Sequence, residues 1–171
     1  MSRDPMKQII LAITCSALAL AQSVNPLTDA IQTRYKRIRA DLLDAAEVMP
    51  QEFYSFRLTP AQRTYAEWVA HAAGSNYSSC SAIQGEKTPD TKALAEMKGK
   101  GELSKALLES FQYCDSALSG MTDQKALATP KVVQGMVNLV SSDNEHYGNM
   151  VGYLRTKGVT PPSTARAMKK K

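Results

Sequence analysis

Apolar side chains recur every three or four positions in four long segments of the chain, which is the spacing of amphipathic α-helices. The first segment runs from Pro26 to Val48, and its apolar stripe consists of Leu27, Ile31, Tyr35, Ile38, Leu42 and Ala45. The second runs from Thr59-Pro60 to about Gln84, the third from about Glu102 to Ser119, and the fourth from Thr129-Pro130 to Lys157. No segment alternates apolar and polar residues convincingly as a half-buried strand does, so the pattern predicts an all-α fold.

Prolines and glycines mark the ends of these segments. A capping side chain followed by proline opens three of them, at Asn25-Pro26, Thr59-Pro60 and Thr129-Pro130. Pro50 ends the first segment, and glycine follows the end of each of the other three, at Gly85, Gly120 and Gly158. The polar stretch 85–101 is the longest connection and has room for one short helix between Thr88 and Met97, whereas 121–128 is interpreted as a loop.

Four helices with one long connection predict a four-helix bundle in which the second and third helices run parallel, an up-down-down-up arrangement with a crossover. Cys80 stands five residues before Gly85, and Cys114 stands six before Gly120. The two cysteines would be level in parallel helices, and about 10 Å or more apart along the axis in antiparallel ones. If they form a disulfide, it therefore supports the parallel arrangement.

The two histidines of the chain, His71 and His146, fall in the second and fourth helices. His71 comes eleven residues after Pro60, and His146 comes eleven before Lys157. In antiparallel helices both would lie near the middle of the bundle, so they are the first candidates for a site.

Composition places the chain among single-domain proteins, with 171 residues of which 43% are hydrophobic. The net charge is +5, and part of it lies in a basic tail, residues 163–171, that we expect to be disordered and solvated. No basic run with interleaved aromatic residues is present, which argues against a nucleic-acid surface.

The first 21 residues have the three parts of a secretory signal peptide. Lys7 precedes the apolar run from Ile9 to Ala21, and Ala19-Leu20-Ala21 is a small-residue cleavage site. A lipoprotein anchored at Cys15 and a retained membrane anchor are the alternatives, and Met6 is an alternative start to Met1. The signal peptide predicts a periplasmic or extracellular protein, residues 22–162, without stable membrane insertion.

In an oxidising compartment, Cys80 and Cys114 are a candidate disulfide. The alternative, a reactive thiol, lacks a flanking basic residue.

Three stretches together resemble the DinB-like (DinB/YfiT) superfamily, over about Pro26 to Pro162. They are TPAQRTYAEWVAHAAGSNYSSCSAIQGE, YCDSAL around Cys114, and NEHYGNMVGYLRTKGVTPP. The resemblance implies a four-helix bundle with a long crossover between helices two and three. It also implies a divalent-metal site of three histidines, one on helix two and two on helix four in the pattern H-x-x-x-H. Members with known activity include thiol-dependent transferases, and members often dimerise.

Carried onto this chain, the first metal position of the family is His71 and the last is His146. The middle position, four residues before His146, is Ser142, so the chain departs from the three-histidine pattern. The remaining site would be a two-histidine centre for zinc or nickel with water at open positions. Ser142 could hold a metal-bound water rather than the metal. Glu67, one turn before His71, could replace the missing ligand. Asp143 and Glu145 are also near His146, although Glu145 points about 100° away from it on the helix. In the alternative interpretation both histidines are satisfied polar residues of a vestigial pocket.

Further polar side chains predicted to line that pocket are Asn76, Asn149 and Tyr153. Two functions are compatible with these residues. One is a metal-dependent transferase or hydrolase that acts on a small molecule or a thiol through His71 and His146. The other is a non-catalytic envelope protein that binds a small apolar ligand or a protein partner in the same pocket.

Overall fold

The computed structural model describes residues 24–170, so the predicted signal peptide, Cys15 and the two candidate start residues lie outside the described residues. The described chain is helical and contains no strand within those residues. This confirms the prediction of an all-α fold. The helices are α1 (Pro26–Val48), α2 (Tyr65–Gln84), α3 (Lys100–Leu118), α4 (Asp123–Leu127), α5 (Pro130–Thr156) and α6 (Pro162–Met168), with short 3₁₀ helices at Gln51–Phe53 and Lys92–Glu96.

The four long helices surround one apolar core. α2 contacts α3 and α5, and α1 contacts the same two helices from the other side. Aliphatic, methionine and tyrosine side chains fill the interior, and its largest fully buried members include Ile38, Leu42, Leu107, Phe111, Met136, Leu139, Met150 and Tyr153. No helix within residues 24–170 is long and apolar enough to cross a bilayer.

Specific polar contacts set the register between neighbouring helices. Cys80 of α2 and Cys114 of α3 form a disulfide, with their Cα atoms 5.2 Å apart. One turn before them, Asn76 Nδ2 donates to Ser110 Oγ at 3.0 Å. Between α1 and α3, the Tyr35 hydroxyl donates to the backbone carbonyl of Phe111 at 3.0 Å.

α2 begins at Tyr65, whereas the sequence predicted a start at Thr59-Pro60. Residues 59–62 form a turn in which Gln62 N donates to Thr59 O. The true N-cap is Thr64. Its hydroxyl accepts from Glu67 N at 3.2 Å, while Glu67 Oε2 accepts from Thr64 N at 2.7 Å. This reciprocal pair satisfies two backbone N–H groups at once. Pro60 is only tolerated at the first position of a helix and satisfies no N–H group, so α2 begins after Thr64 rather than at Pro60.

The start of α1 is stabilised from elsewhere in the chain. Asn25 makes no side-chain capping bond, although its side chain accepts from Asp123 N. Instead the Asp123 carboxylate accepts from Leu27 N and Thr28 N at 3.0 and 2.8 Å. Asp123 is the first residue of α4, within the segment expected to be a loop.

The basic tail is helical between residues 162 and 168, where the sequence predicted disorder. Arg166 of this helix, α6, pairs with Asp41 and Asp44 of α1. The Asp41 side chain is only 5% exposed, and Arg37 on the same helix lies 4.0 Å from it, so the Arg166 guanidinium adds a second cation to a buried carboxylate. Such a contact orders a segment that has no apolar period of its own.

Candidate functional site

The two histidines meet between α2 and α5. The centroids of the His71 and His146 rings are 4.8 Å apart, in an edge-to-face arrangement. The indole ring of Trp68 lies 6.0 Å from each of them. Seventy-five positions separate the two histidines in the chain, so only the packing of α2 against α5 brings them together.

Burial keeps both imidazoles uncharged at neutral pH. His146 is 4% exposed, and its burial, together with His71 and Arg63, lowers its pKa to about 4. His71 stays accessible from solvent, yet its partial burial and the nearby Arg63 still lower its pKa, against a weaker opposing effect of Glu145. Neutral imidazoles are the form that ligates metals and that can both donate and accept hydrogen bonds.

Asp143 lies behind His146 and is fully buried. Its Oδ1 is 3.9 Å from His146 Nδ1, and within residues 24–170 neither carboxylate oxygen nor this nitrogen has a hydrogen-bond partner. Burial raises the pKa of Asp143 well above its usual range. Burial therefore favours an uncharged pair, in which a protonated carboxyl faces the inner nitrogen of the imidazole.

A cleft of about 590 Å³ opens beside His71, between α2 and the 3₁₀ segment of the crossover. Its apolar lining comes from Ala70, Leu94, Ala95 and Met97, and Gly74 leaves part of the α2 wall without a side chain. Its polar lining comes from Arg63, Glu67, His71, Ser75, Ser78 and Thr91. This size and mixed lining are typical of sites for small molecules.

Ser142, expected to hold a metal-bound water, and Glu67, expected to replace the missing histidine, have different positions. Ser142 is partly buried on α5, one turn before His146. Glu67 lines the cleft, but its carboxylate binds Thr64 N and lies 4.0 Å from the Arg57 guanidinium, so it is engaged at the helix start. Among residues 24–170 no group of three or more His, Cys, Asp or Glu side chains is arranged to hold a metal ion.

The other predicted pocket residues do not line this cleft. Asn76 is buried on the α3 side of α2, where it bonds to Ser110. Asn149 Nδ2 donates to Glu145 O on its own helix. Tyr153 is buried beneath Trp68, whose Nε1 donates to its hydroxyl at 3.2 Å. Tyr153 therefore orients the indole that contacts both histidines.

Sequence reasoning missed Arg63 and the crossover wall. The Arg63 guanidinium lies 5.0 Å above the Trp68 ring, and its backbone carbonyl accepts from the Tyr153 hydroxyl. A basic residue directly before the T-x-x-E capping pattern was the available signal for Arg63. The short helix expected between Thr88 and Met97 is the 3₁₀ helix Lys92–Glu96, but no signal in the sequence indicated that Leu94 and Met97 face α2.

No protein-family model matches the chain, and no curated protein matches it either.

Proposed function

We propose that this protein is an exported, DinB-like helical bundle that binds a small molecule in the cleft between α2 and the crossover. The observation that carries this proposal is the cleft itself, which joins an apolar wall to the accessible His71. His146 and Trp68 both pack against the His71 ring from the protein side. These contacts orient the imidazole of His71 toward a ligand in the cleft.

The up-down-down-up arrangement is part of the same proposal and is supported by the order of the contacts. Between α2 and α3, Asn76 meets Ser110 and Cys80 meets Cys114, so positions advance together as in parallel helices. Between α2 and α5, the contacts of Trp68 with Tyr153 and of His71 with His146 run in opposite directions. The long crossover that this arrangement requires is the segment that forms the second wall of the cleft.

Export is supported by the disulfide and by the composition of the first 21 residues. A disulfide in a mesophilic protein persists mainly outside the cytosol. Cys80 and Cys114 are both fully buried and paired. Periplasmic or extracellular residence explains the pair better than a cytosolic location does.

The ligand site is tested by filling the cleft. A Cβ added at Gly74 would meet Leu94 Cδ1 at 3.8 Å and Thr91 Oγ1 at 4.0 Å, so the rest of a leucine side chain would project into the cavity. Trp68 is the only tryptophan and reports on the site by fluorescence. We expect at least one of the probes octanoate, octanol and octylamine to shift its emission saturably, and Gly74→Leu to abolish this response.

The matched control is Gly148→Leu, because an added Cβ there meets nothing within 4 Å. This variant should bind as the wild type does. The proposal fails if no probe perturbs Trp68, or if Gly74→Leu binds as well as the control.

A second candidate function, a metal-dependent transferase or hydrolase, is favoured by the spacing of the two histidines. Neutral imidazoles are suitable ligands for a divalent ion, and the centroids of the two rings are 4.8 Å apart. Water would occupy the remaining coordination positions of the ion. Asp143 lies on the side of His146 from which a carboxyl orients a ligating imidazole, although its Oδ1 is 3.9 Å from Nδ1 and makes no hydrogen bond to it. A bound zinc or nickel ion would lower the pKa of a water or thiol at the cleft.

Metal content decides this second candidate. The protein should be purified without an affinity tag from the exported fraction, beside His146→Ala, and assayed by elemental analysis. Near-stoichiometric zinc or nickel that is lost in the variant would support the two-histidine centre. No metal after incubation with several divalent ions would refute it and leave the small-molecule proposal standing.

A further inference from the structure

We infer that the molecule held in the cleft is an amphiphilic carboxylate, with its anionic head on Arg63 and its apolar body along Leu94 and Met97. This inference rests on the proposal that the cleft is a ligand site. It does not depend on a metal ion at the histidines.

The charges around the cleft leave Arg63 available for an anion. The Glu67 carboxylate is already engaged, because it accepts from Thr64 N and lies 4.0 Å from the Arg57 guanidinium. The hydrogen bond from the Thr64 backbone, with smaller contributions from the Thr64 side chain, Arg57 and Lys98, lowers the pKa of Glu67. Arg63 has no carboxylate within ion-pair distance among residues 24–170 and contacts the Trp68 ring instead. A guanidinium in this state can bind a carboxylate through two parallel hydrogen bonds.

The head group that suits this rim carries a single negative charge. Within residues 24–170, the charged side chains that line the cleft are Arg63 and Glu67. Because the Glu67 carboxylate is engaged at the start of α2, one cation, Arg63, is left to pair with a ligand. His71 is neutral and adds one hydrogen-bond donor without adding charge.

The position of Arg63 is prepared before a ligand arrives. Its backbone is held by the hydrogen bond from the Tyr153 hydroxyl, and the following residue, Thr64, is the N-cap of α2. Its guanidinium lies over the face of Trp68. Because the side chain is already oriented, binding an anion costs less conformational entropy than it would at a free surface arginine.

The apolar wall selects the body of the ligand. Leu94 and Met97 face the cleft from the crossover, and Ala70 faces it from α2. Methionine adapts to different apolar shapes, and the absence of a side chain at Gly74 leaves room beside it. Aliphatic or aryl acids fit such a wall, whereas a polyhydroxylated ligand would leave its hydroxyls facing apolar side chains.

The test compares eight-carbon probes that share a tail and differ in the head. Octanoate, octanol and octylamine are titrated into chelator-treated protein, and Trp68 emission gives each dissociation constant. We expect octanoate to bind about ten- to a hundredfold more tightly than octanol, as a charge-assisted contact with Arg63 predicts. Arg63→Gln should remove this preference and retain octanol binding.

The matched control is Arg155→Gln, which removes an exposed positive charge from the last turn of α5. It should keep the preference for octanoate. Equal binding of octanoate and octanol, or a preference that survives in Arg63→Gln, overturns the carboxylate inference while the ligand site stands. If none of the probes binds, the ligand site and the inference fail together.

Discussion

Replacing Gly135 by alanine tests how closely α2 and α5 approach. A Cβ at this buried position of α5 would lie 2.8 Å from Ile83 Cγ1 and 3.0 Å from the backbone carbonyl oxygen of Ser79. The Ile83 side chain can rotate, but the Ser79 carbonyl belongs to α2 and can yield only if the helix moves. We therefore expect Gly135→Ala to push the two helices apart.

The magnitude follows from two opposing terms. Alanine gains up to about 1 kcal/mol over glycine within a helix. Overpacking a close contact costs about 1–3 kcal/mol. Gly148→Ala on the same helix gains only the first term, because its added Cβ meets nothing within 4 Å. The free energies of unfolding of the two variants should therefore differ by about 1–3 kcal/mol, with Gly135→Ala the less stable.

Urea unfolding at pH 7, followed by Trp68 fluorescence, measures both values in one assay. Trp68 contacts both histidines, so its native-state emission also reports whether a wedge at Gly135 disturbs the site. If Gly135→Ala proves as stable as Gly148→Ala, the close approach of α2 and α5 described here is incorrect.

The remaining predictions concern the disulfide, the buried histidine and the C-terminal helix. Reducing the disulfide, which joins residues 34 positions apart, should lower the free energy of unfolding by about 3–4 kcal/mol, measured in urea with and without reductant. Below pH 6.5 the unfolded chain protonates His146, whereas the folded imidazole has a pKa of about 4 and stays neutral. The stability of the wild type relative to His146→Gln should therefore fall by about 2 kcal/mol between pH 6.5 and 4.5, and a constant difference would contradict the burial of this ring. The neighbouring Asp143 acts in the opposite sense, and its contribution largely cancels in that comparison. Arg166→Ala should cost about 1–3 kcal/mol and speed hydrogen exchange in residues 162–168, whereas the exposed Lys169→Ala should do neither.

Local pattern was sufficient to predict the long helices. α1 and α5 begin at the prolines that the sequence indicated, Pro26 and Pro130, because a proline at the first helical position and a 3.6-residue apolar period are properties of neighbouring residues. The start of α2 was wrong by five residues, although the Thr64–Glu67 capping pair was present in the sequence. Two local signals competed there, and the one that satisfies more N–H groups prevailed.

The all-helical class, the cysteines available for a disulfide and the two candidate histidines were all predictable from the residues in order. Folding was needed to show that Asp123 caps α1, that Arg166 pairs with Asp41, and that Arg63 lies over Trp68 beside a cleft. Periodicity and capping depend on residues within one or two turns of chain, which is why they can be predicted. Contacts between distant segments depend on which faces of the helices pack together. They also depend on which distant residue pairs with a buried charge, or with a backbone N–H group that no nearby residue satisfies.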